Sequence, residues 1–418
     1  MNHTAKRNGW RQTKLKDVCR EITVGYVGPM ADQYVDDGIT FLRSQNIHPF
    51  CLNMADVKFI SPAFHDRIKK SALNPGDVVV VRTGYPGTAC VVPQELPVAN
   101  CADLVVIRPS TDIDPWFLTY IFNSTWGRGT VAGNLVGVAQ QHFNVGAAKE
   151  MVVGLPSISV QRKISGILSA YDELIENNTR RIKVLEQMGQ ALYREWFINF
   201  RFPGHAQVKL IASPLGKIPQ GWEVKHLKDV ANVTYGFPFQ SKKFNAAGIG
   251  TPVIRIRNIL DGSTDTFTDE EAEPKYHIKN GDILVGMDGD FHMCIWSSGH
   301  ALQNQRVAKF ESKGEIGNYH LYLALEQPIQ TWNKSIVGTT VAHLGDMHIK
   351  AIQFAWPPAK LLAEAGEIFE PMSEQIIALK RKNANLRRTR DLLLPKLISG
   401  ALDVSKLDIE TDVTASSS

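Results

Sequence analysis

With 418 residues, 44% of them apolar, the chain can bury more than one hydrophobic core, and ordinary domain sizes predict two or three units. No segment approaches the roughly 18 uninterrupted apolar residues of a membrane-spanning helix, and the polar start lacks an apolar signal segment, so we expect a cytoplasmic protein. The five cysteines are not spaced as in a zinc knuckle, and a net charge of +4 permits a polyanionic partner without requiring one.

The second half of the sequence repeats the first about 200 residues further along the chain. Gly9-Trp10, which precede Leu15–Val18, return as Gly221-Trp222 before Leu227–Val230. The segment GITFLRSQNI from Gly38 then matches GTPVIRIRNI, and NPGDVVVVRTG matches KNGDILVGMDG. The first of these two pairs is predicted to form short buried strands, and in the second pair a Gly-Asp turn precedes an apolar, β-branched run. The repeat therefore predicts two related β-rich domains, over residues 1–157 and 221–358.

A long helix follows each β-rich domain, over residues 158–200 and 359–402. Its apolar residues recur near the 3.5-residue spacing of a coiled-coil seam, and a continuous helix of this length would reach roughly 55 Å. Asn178 and Asn383 fall on the predicted seam, where a polar residue can fix the register, although a rotated helix would leave both in solvent. A basic run, 380–390, is a solvated face or a contact with DNA or an acidic partner.

Two segments lack periodicity. Residues 201–220 are rich in Pro and Gly and are predicted to be a linker between the copies. Residues 403–418 have little apolar content and are predicted to be a disordered tail.

The order of domain, helix, domain and helix, together with LRSQNI, NPGDVVV, YREWFINFRFPG, SPLGKIPQGW and LLLPKLISG, resembles the specificity subunits of type I restriction-modification systems. The resemblance covers nearly the whole chain. It implies an α+β fold of two pseudo-symmetric target recognition domains separated by two long antiparallel coiled-coil helices. Each domain would read one half of a bipartite DNA site.

The resemblance also implies partners: double-stranded DNA, two methyltransferase subunits and two restriction subunits with translocase activity. S-adenosylmethionine, ATP and magnesium are then expected on those partners and no cofactor or metal on this chain. The residues agree, because the chain has no GxxxxGK[ST] loop and its only Pro-Pro, at Pro357, follows Trp356 rather than Asp or Asn. A self-sufficient methyltransferase or nuclease, and a coiled-coil scaffold that binds only proteins, are the alternatives.

The candidate DNA-binding residues are polar side chains at the ends of predicted strands, where Arg and amide groups can fork onto base edges or hold phosphates. Residues shared by the copies favour a role in the fold, whereas residues that differ favour the reading of different half-sites. The candidates are Arg43, Ser44, Gln45, Asn46, Arg82, Thr83, Gln140, Gln141, His142, Arg255, Arg257, Asn258, Asp288, Gln303, Asn304, Gln305, Arg306, Thr339, Thr340 and His343.

Three alternatives apply to these candidates. Asn46 and Asn258, a matched pair, either contact DNA or fix a turn. His142 and His343 also match, and each caps the fold or touches a phosphate. A metal site around Asp288 is disfavoured, because carboxylates in a glycine turn are usually part of an ordinary loop.

Overall fold

The computed structural model describes residues 10–135, 142–314, 316–335 and 343–409. The chain divides into two compact units, one formed by residues 1–175 and 386–418 and the other by residues 176–385. Each unit therefore combines one β-rich domain with part of each long helix.

Among its described residues, the β-rich domain of the first unit contains thirteen strands and four short α-helices. The strands are β1 Arg11–Lys14, β2 Cys19–Val24, β3 Tyr34–Val35, β4 Ile39–Leu42, β5 Ile47–His48, β6 Cys51–Leu52, β7 Lys58–Ile60, β8 Ala72–Leu73, β9 Val78–Val81, β10 Ala89–Val91, β11 Ala99–Cys101, β12 Leu104–Pro109 and β13 Val152–Leu155. The helices are α1 Pro62–Arg67, α2 Pro115–Asn123, α3 Thr125–Ala132 and α4 Val145–Glu150. The first long helix, α5, spans Ile158–Tyr193 and continues as a π-helical turn over Arg194–Ile198.

The described residues of the rest of the chain form twelve strands and five α-helices. The strands are β14 Leu210–Ser213, β15 Gly216–Pro219, β16 Glu223–His226, β17 Ala231–Tyr235, β18 Thr251–Ile254, β19 Phe267–Thr268, β20 His277–Ile278, β21 Ile283–Gly286, β22 Met293–Ile295, β23 Ala301–Gln303, β24 Val307–Ser312 and β25 Gln353–Trp356. The helices are α6 Leu227–Val230, α7 Asn258–Asp261, α8 Asn318–Ser335, α9 Asp346–Lys350 and the second long helix, α10, over Ala359–Ile398.

Ten strands of the first domain have the same connectivity as the strands β16 to β25 of the second domain. An antiparallel sheet has the order β10-β9-β12-β2 in the first domain and β22-β21-β24-β17 in the second. A second sheet contains β7-β4-β11-β8 in the first domain and β19-β18-β23-β20 in the second, and its middle pair, β4 with β11 or β18 with β23, is parallel. A two-stranded ladder joins the first strand of each domain to its last, as β1 with β13 and β16 with β25. The repeat seen in the sequence is therefore a repeat of topology.

Buried β-branched strands form the core of each domain. Val78 and Val80 of β9 lie against helix α2 and the first turns of α5, together with Val105 and Ile107 of β12. Ile283 and Val285 of β21 take the corresponding place in the second domain. Such runs, apolar on both faces, are typical of strands covered on both sides.

The long helices contact each other within each unit. In the second unit Asn178 Nδ2 donates to Asn383 Oδ1 at 2.9 Å, and Lys380 Nζ pairs with Glu186 Oε1 at 2.9 Å. The two helices therefore run in opposite directions there. Asn383 is buried, which excludes the alternative in which both asparagines are in solvent. The apolar residues predicted for the seam of the first helix include Leu174 and Met188, and the prediction was wrong for these two, because both are about half exposed.

The predictions for the linker and the tail need correction. Residues 210–219 form an antiparallel hairpin, β14 with β15, in which Ile218 is buried. Before it, Phe202 is buried against Trp222, with ring centroids 5.5 Å apart. In the tail, Val404 is buried in the first unit and Lys163 Nζ donates to the carbonyl of Ser405 at 2.9 Å. A few apolar side chains were enough to order both segments, and residues 410–418 lie outside the described residues.

The basic run on α10 is not a uniform solvated face. Lys380 pairs with Glu186, and Arg390 is mostly buried against Asp172 in the first unit. Arg381, Lys382, Arg387 and Arg388 are exposed.

Candidate nucleic-acid interface

The parallel strand pair brings several candidate residues to one edge of each domain. Parallel strands end at the same edge, and here Ala102 N donates to Leu42 O at 2.9 Å, just past the ends of β11 and β4. Asn304 N donates to Ile254 O at 3.1 Å at the same place in the second domain. We call this the loop edge. It comprises residues 43–58, 82–87, 102–103 and 142–143 in the first domain and 255–266, 287–292, 304–306 and 343–344 in the second.

Asn46 and Asn258 fix turns rather than face DNA. Asn46 is fully buried, its Oδ1 accepts from Arg43 N at 3.0 Å and its Nδ2 donates to Asn53 O at 3.0 Å. Asn258 is 6% exposed, and its Oδ1 accepts from Arg255 N at 3.1 Å. Buried amides with these bonds cannot reach a base edge, so both residues are removed from the candidate readers.

Arg43 and Gln45 share a carboxylate partner at the loop edge of the first domain. Arg43 Nη2 donates to Asp56 Oδ2 at 3.2 Å, and Gln45 Nε2 donates to the same oxygen at 2.9 Å. Lys58 Nζ lies 2.9 Å from Asp56 Oδ1. These donors, Lys58 first, lower the pKa of Asp56 to about 2, so the carboxylate is ionised at neutral pH. Ser44 is partly exposed beside them.

Arg255 and Arg257 share a carboxylate in the second domain. Arg255 Nη2 lies 3.3 Å from Asp265 Oδ1 and Arg257 Nη2 lies 3.8 Å from the same oxygen. Arg255 also donates to the hydroxyl of Thr266 and packs over the Phe244 ring, 5.9 Å from its centroid. Arg257 is exposed, so it is the more accessible of the two arginines.

Arg82 is a mostly buried residue of the loop edge that holds neighbouring residues in place. It pairs with Asp103, its Nε donates to Phe143 O at 3.1 Å, and its side chain is only 14% exposed. The matched position is Met287, whose carbonyl accepts from Leu344 N at 2.8 Å. Arg82 is therefore placed as a support for the neighbouring segment, whereas Thr83, partly exposed, starts the turn that follows.

A different ionic arrangement stands at this place in the second domain. Asp288 Oδ1 lies 2.6 Å from His343 Nδ1, and Asp288 Oδ2 lies 3.4 Å from Arg306 Nε. In the first domain the cation, Arg82, follows β9 and the anion, Asp103, precedes β12. In the second domain the anion, Asp288, follows β21 and the cation, Arg306, precedes β24. Arg306 and His343 are exposed, so this arrangement presents a guanidinium and an imidazole ring at the edge.

Gln303 was wrongly predicted as a reader. It is fully buried, and its Nε2 donates to Thr234 O and Val307 O at 2.7 Å each. Asn304 is partly exposed and Gln305 is exposed, so the next two residues of the run keep their side chains accessible.

Four candidates, Gln140, Gln141, Thr339 and Thr340, lie outside the described residues, and they stay predictions. His142, at the edge of one of these gaps, is partly exposed. Sequence reasoning missed Asp56, Asp103 and Asp265, because acidic residues do not suggest DNA contact. It also missed Tyr85, which is 85% exposed between Gly84 and Gly87; both glycines have positive φ, and an aromatic in such a turn is the signal that could have identified it.

The loop edge can donate hydrogen bonds and stack a ring, but it has no evident metal chemistry. Within the described ranges, no three His, Cys, Asp or Glu side chains group as a metal site. No described helix is long and apolar enough to cross a membrane. The described cysteines carry free thiols.

Comparison with known proteins identifies the family. The chain matches the family described as Type I restriction modification DNA specificity domain over residues 8–187 and again over 219–388. The chain belongs to this family. The two matches fall on the two copies of the repeat, and the family's specificity subunits are DNA-recognition subunits rather than catalytic ones.

Individual relatives in the specificity family agree. The MjaIX specificity subunit of Methanocaldococcus jannaschii is 28% identical over 62% of this chain, and the EcoBI specificity subunit of Escherichia coli is 33% identical over 46% of it. These matches span 62% and 42% of the two relatives' own lengths. The S subunit of M. genitalium has the same fold, with a TM-score of 0.60 at 16% identity, covering 95% of this chain and 98% of that one.

Proposed function

We propose that this chain reads a bipartite, asymmetric DNA site and directs partner methyltransferase and restriction subunits to it. One observation carries the proposal: the two domains repeat one strand topology but present different side chains at the loop edge. A shared scaffold with different donors suits two half-sites of different sequence, in the way that a dimer suits two equal ones.

The exposed residues of each loop edge are the proposed contacts. In the first domain these are Gln45 and Tyr85, which are exposed, and Thr83 and Arg43, which are partly exposed. In the second domain they are Arg257, Gln305, Arg306 and His343. Arg and amide groups can bind guanine and adenine edges, and arginines can also hold phosphates.

The long helices are the proposed spacer. In this proposal α5 and α10 form an antiparallel coiled coil that holds the two domains a fixed distance apart along DNA. The pairs Asn178 with Asn383 and Glu186 with Lys380 support antiparallel pairing in the second unit. Each helix also starts in one unit and ends in the other, which is the connection that a spacer requires.

The proposed assembly contains two methyltransferase subunits and two restriction subunits with translocase activity. S-adenosylmethionine, ATP and magnesium are assigned to those subunits, because the sequence of this chain offers no motif for any of them. The chain purified alone would then show no methyl transfer.

Exchanging residues 10–150 for the equivalent domain of a related subunit tests independent reading. We expect one half of the methylated site to change while the other half and the gap stay the same, as seen by methylome sequencing of cells with the whole system. The reciprocal exchange of residues 222–351 is the control and should change only the other half. A single exchange that alters both halves would refute the proposal.

A further inference from the structure

Asp56 gathers the polar donors of the first loop edge around one exposed carboxylate. Its two oxygens accept from Arg43, Gln45 and Lys58, at distances of 3.2, 2.9 and 2.9 Å, while the carboxylate itself stays 60% exposed. The Asp56 carbonyl also accepts from Arg43 Nη2 at 2.5 Å. The backbone at Asp56 is left-handed, with φ 54°, a conformation that a non-glycine residue rarely adopts. The loop therefore holds this carboxylate in place against the donors.

Asp265 repeats the arrangement in the second domain. It is 78% exposed and lies within 4.0 Å of both Arg255 and Arg257. Arg255 is the repeat counterpart of Arg43, but the two aspartates come from loops of different length and sequence. In each domain a loop of different sequence thus places a carboxylate against the matched arginine, Arg43 or Arg255.

The matched arginines are also alike in the burial of their Nε atoms. The Nε atoms of Arg43 and Arg255 are both buried without a hydrogen-bond partner in the part of the chain that the structure describes. A buried N–H without a partner is costly, and the same atom is left so in both domains. Each guanidinium is oriented through its Nη2 atom while it lies at the edge proposed to face DNA.

An exposed carboxylate among such donors has two physical effects on DNA binding. It fixes the directions of the donors, which preserves discrimination between bases. It also cancels local positive charge and repels phosphates, which weakens the sequence-independent part of binding that depends on counterion release.

We propose that Asp56 and Asp265 are positioning residues that hold the donors of the first and second domains for base reading and suppress non-specific phosphate binding. This inference rests on the proposed function, because it assumes that the loop edges face DNA. Each aspartate acts on its own half-site.

The test uses the assembled complex with D56N or D265N, and D17N as the matched control. Asp17 is exposed in the first domain, just before strand β2. The start of β2 pairs with Pro109, at the end of β12, whereas Asp103 of the loop edge precedes the start of β12. D17N therefore changes the charge equally but away from the loop edge. Binding to a duplex that lacks the site is measured against salt concentration, and methylome sequencing reads the base preference of both halves.

We expect D56N to tighten non-specific binding and to steepen its salt dependence by about 0.9 in logarithmic slope, the value for one more phosphate contact. Discrimination between bases should fall by at least about fivefold in the first half-site alone. D265N should do the same for the second half-site, and D56E should restore part of the discrimination.

The unaffected half-site serves as an internal control for folding and assembly. Equal effects of D56N and D17N would overturn the inference, since total charge alone would then explain them. Loss of discrimination in both halves would also overturn it. The outcome of the domain exchange described above does not depend on the role of either aspartate, so it reports separately on the proposed function.

Discussion

Gln303 is the residue at which chemistry and burial give opposite predictions. Its amide belongs to the richest run of base-reading side chains in the sequence, yet it is fully buried and bonds two backbone carbonyls. Asn46 and Asn258 follow the same logic. Sequence supplies the hydrogen-bonding type of a residue, but only packing shows whether its partner is the protein or an external ligand.

Replacing Gln303 with Ala should therefore destabilise the second unit without changing the bases read. Loss of the bonds leaves the buried carbonyl of Val307 and the partly buried carbonyl of Thr234 with fewer partners, at a cost of about 1–3 kcal/mol. Urea denaturation measures the change. Gln305, which is exposed, provides the control: Q305A should leave stability unchanged and alter base preference in the second half-site. A stable Q303A variant with altered base preference would contradict this assignment.

His320 gives the second unit a pH-dependent stability. The side chain is 3% exposed among aromatic rings, with the Phe197 ring centroid 4.5 Å away and that of Phe369 5.6 Å away, and burial lowers the pKa of His320 to about 3. Below its unfolded pKa of about 6.5, the unfolded chain takes up a proton that the folded chain refuses. Stability due to this group is therefore complete above pH 6.5 and is lost as the pH falls toward 3.

The variant H320F should remove this dependence, because phenylalanine fills a similar space and has no proton to gain. The difference in unfolding free energy between wild type and variant should change by up to about 1.4 kcal/mol per pH unit between pH 6 and 4. Urea denaturation at several pH values, followed by tryptophan fluorescence, gives the difference. Parallel pH curves for the two proteins would show that His320 takes up a proton equally in the folded and unfolded states, so that its pKa is not lowered by folding.

At the scale of elements, the turns before β9 and β21 were predictable because their sequences encode the bonds. Asp77 Oδ2 accepts from Asn74 N at 2.9 Å, and Asp282 Oδ2 accepts from Lys279 N at 2.8 Å. Both aspartates are buried, and a cation from the neighbouring strand approaches each one: Arg108 in the first domain and Lys309 in the second. The turns follow from local spacing, whereas these cations come from distant strands and could not be assigned from the sequence.

A second polar connection joins three elements within the first unit. Tyr120 on α2 donates to Asp172 Oδ2 of α5 at 2.6 Å, and Arg390 of α10 pairs with the same carboxylate. The Arg390 guanidinium also lies 4.8 Å from the Phe50 ring centroid. Burial raises the pKa of Asp172 in spite of these partners, so the carboxylate depends on them to remain charged.

The variant R390M should destabilise the first unit by about 2–3 kcal/mol, because it leaves the mostly buried Asp172 without its cation. The double variant D172N/R390M should recover part of this loss, since no uncompensated charge remains. A double-mutant cycle by urea denaturation measures the coupling. Equal stability of R390M and wild type would mean that Arg390 contributes only a surface ion pair.

At the scale of the whole molecule, the two-domain order and the long helices could be predicted because the chain repeats itself and each helix has a regular apolar spacing. The division into units could not be predicted in the same way. The first unit takes residues from separate parts of the chain, with 386–418 joining the first domain, whereas the second unit is the continuous stretch 176–385. Val404 shows the difficulty, since one buried side chain in a polar tail gives no periodic signal.

The spacer proposal makes the most specific prediction for the whole molecule. Four residues inserted after Glu176, with four more inserted after Asn385 to keep the helices paired, lengthen the helical connection between the units by about 6 Å and add a rotation of roughly 40°. One base pair advances DNA by about 3.4 Å. We expect methylome sequencing to show two unchanged half-sites separated by a gap one or two base pairs longer.

The same four residues inserted after Pro214, between strands β14 and β15 of the hairpin, are the control, and they should leave the gap unchanged. Circular dichroism of the helix variant checks that the added residues are helical rather than looped out. Because each domain keeps its own loop edge, a change in gap without a change in bases separates spacing from reading. Methylation confined to the original gap in a variant with lengthened helices would show that α5 and α10 do not set the distance.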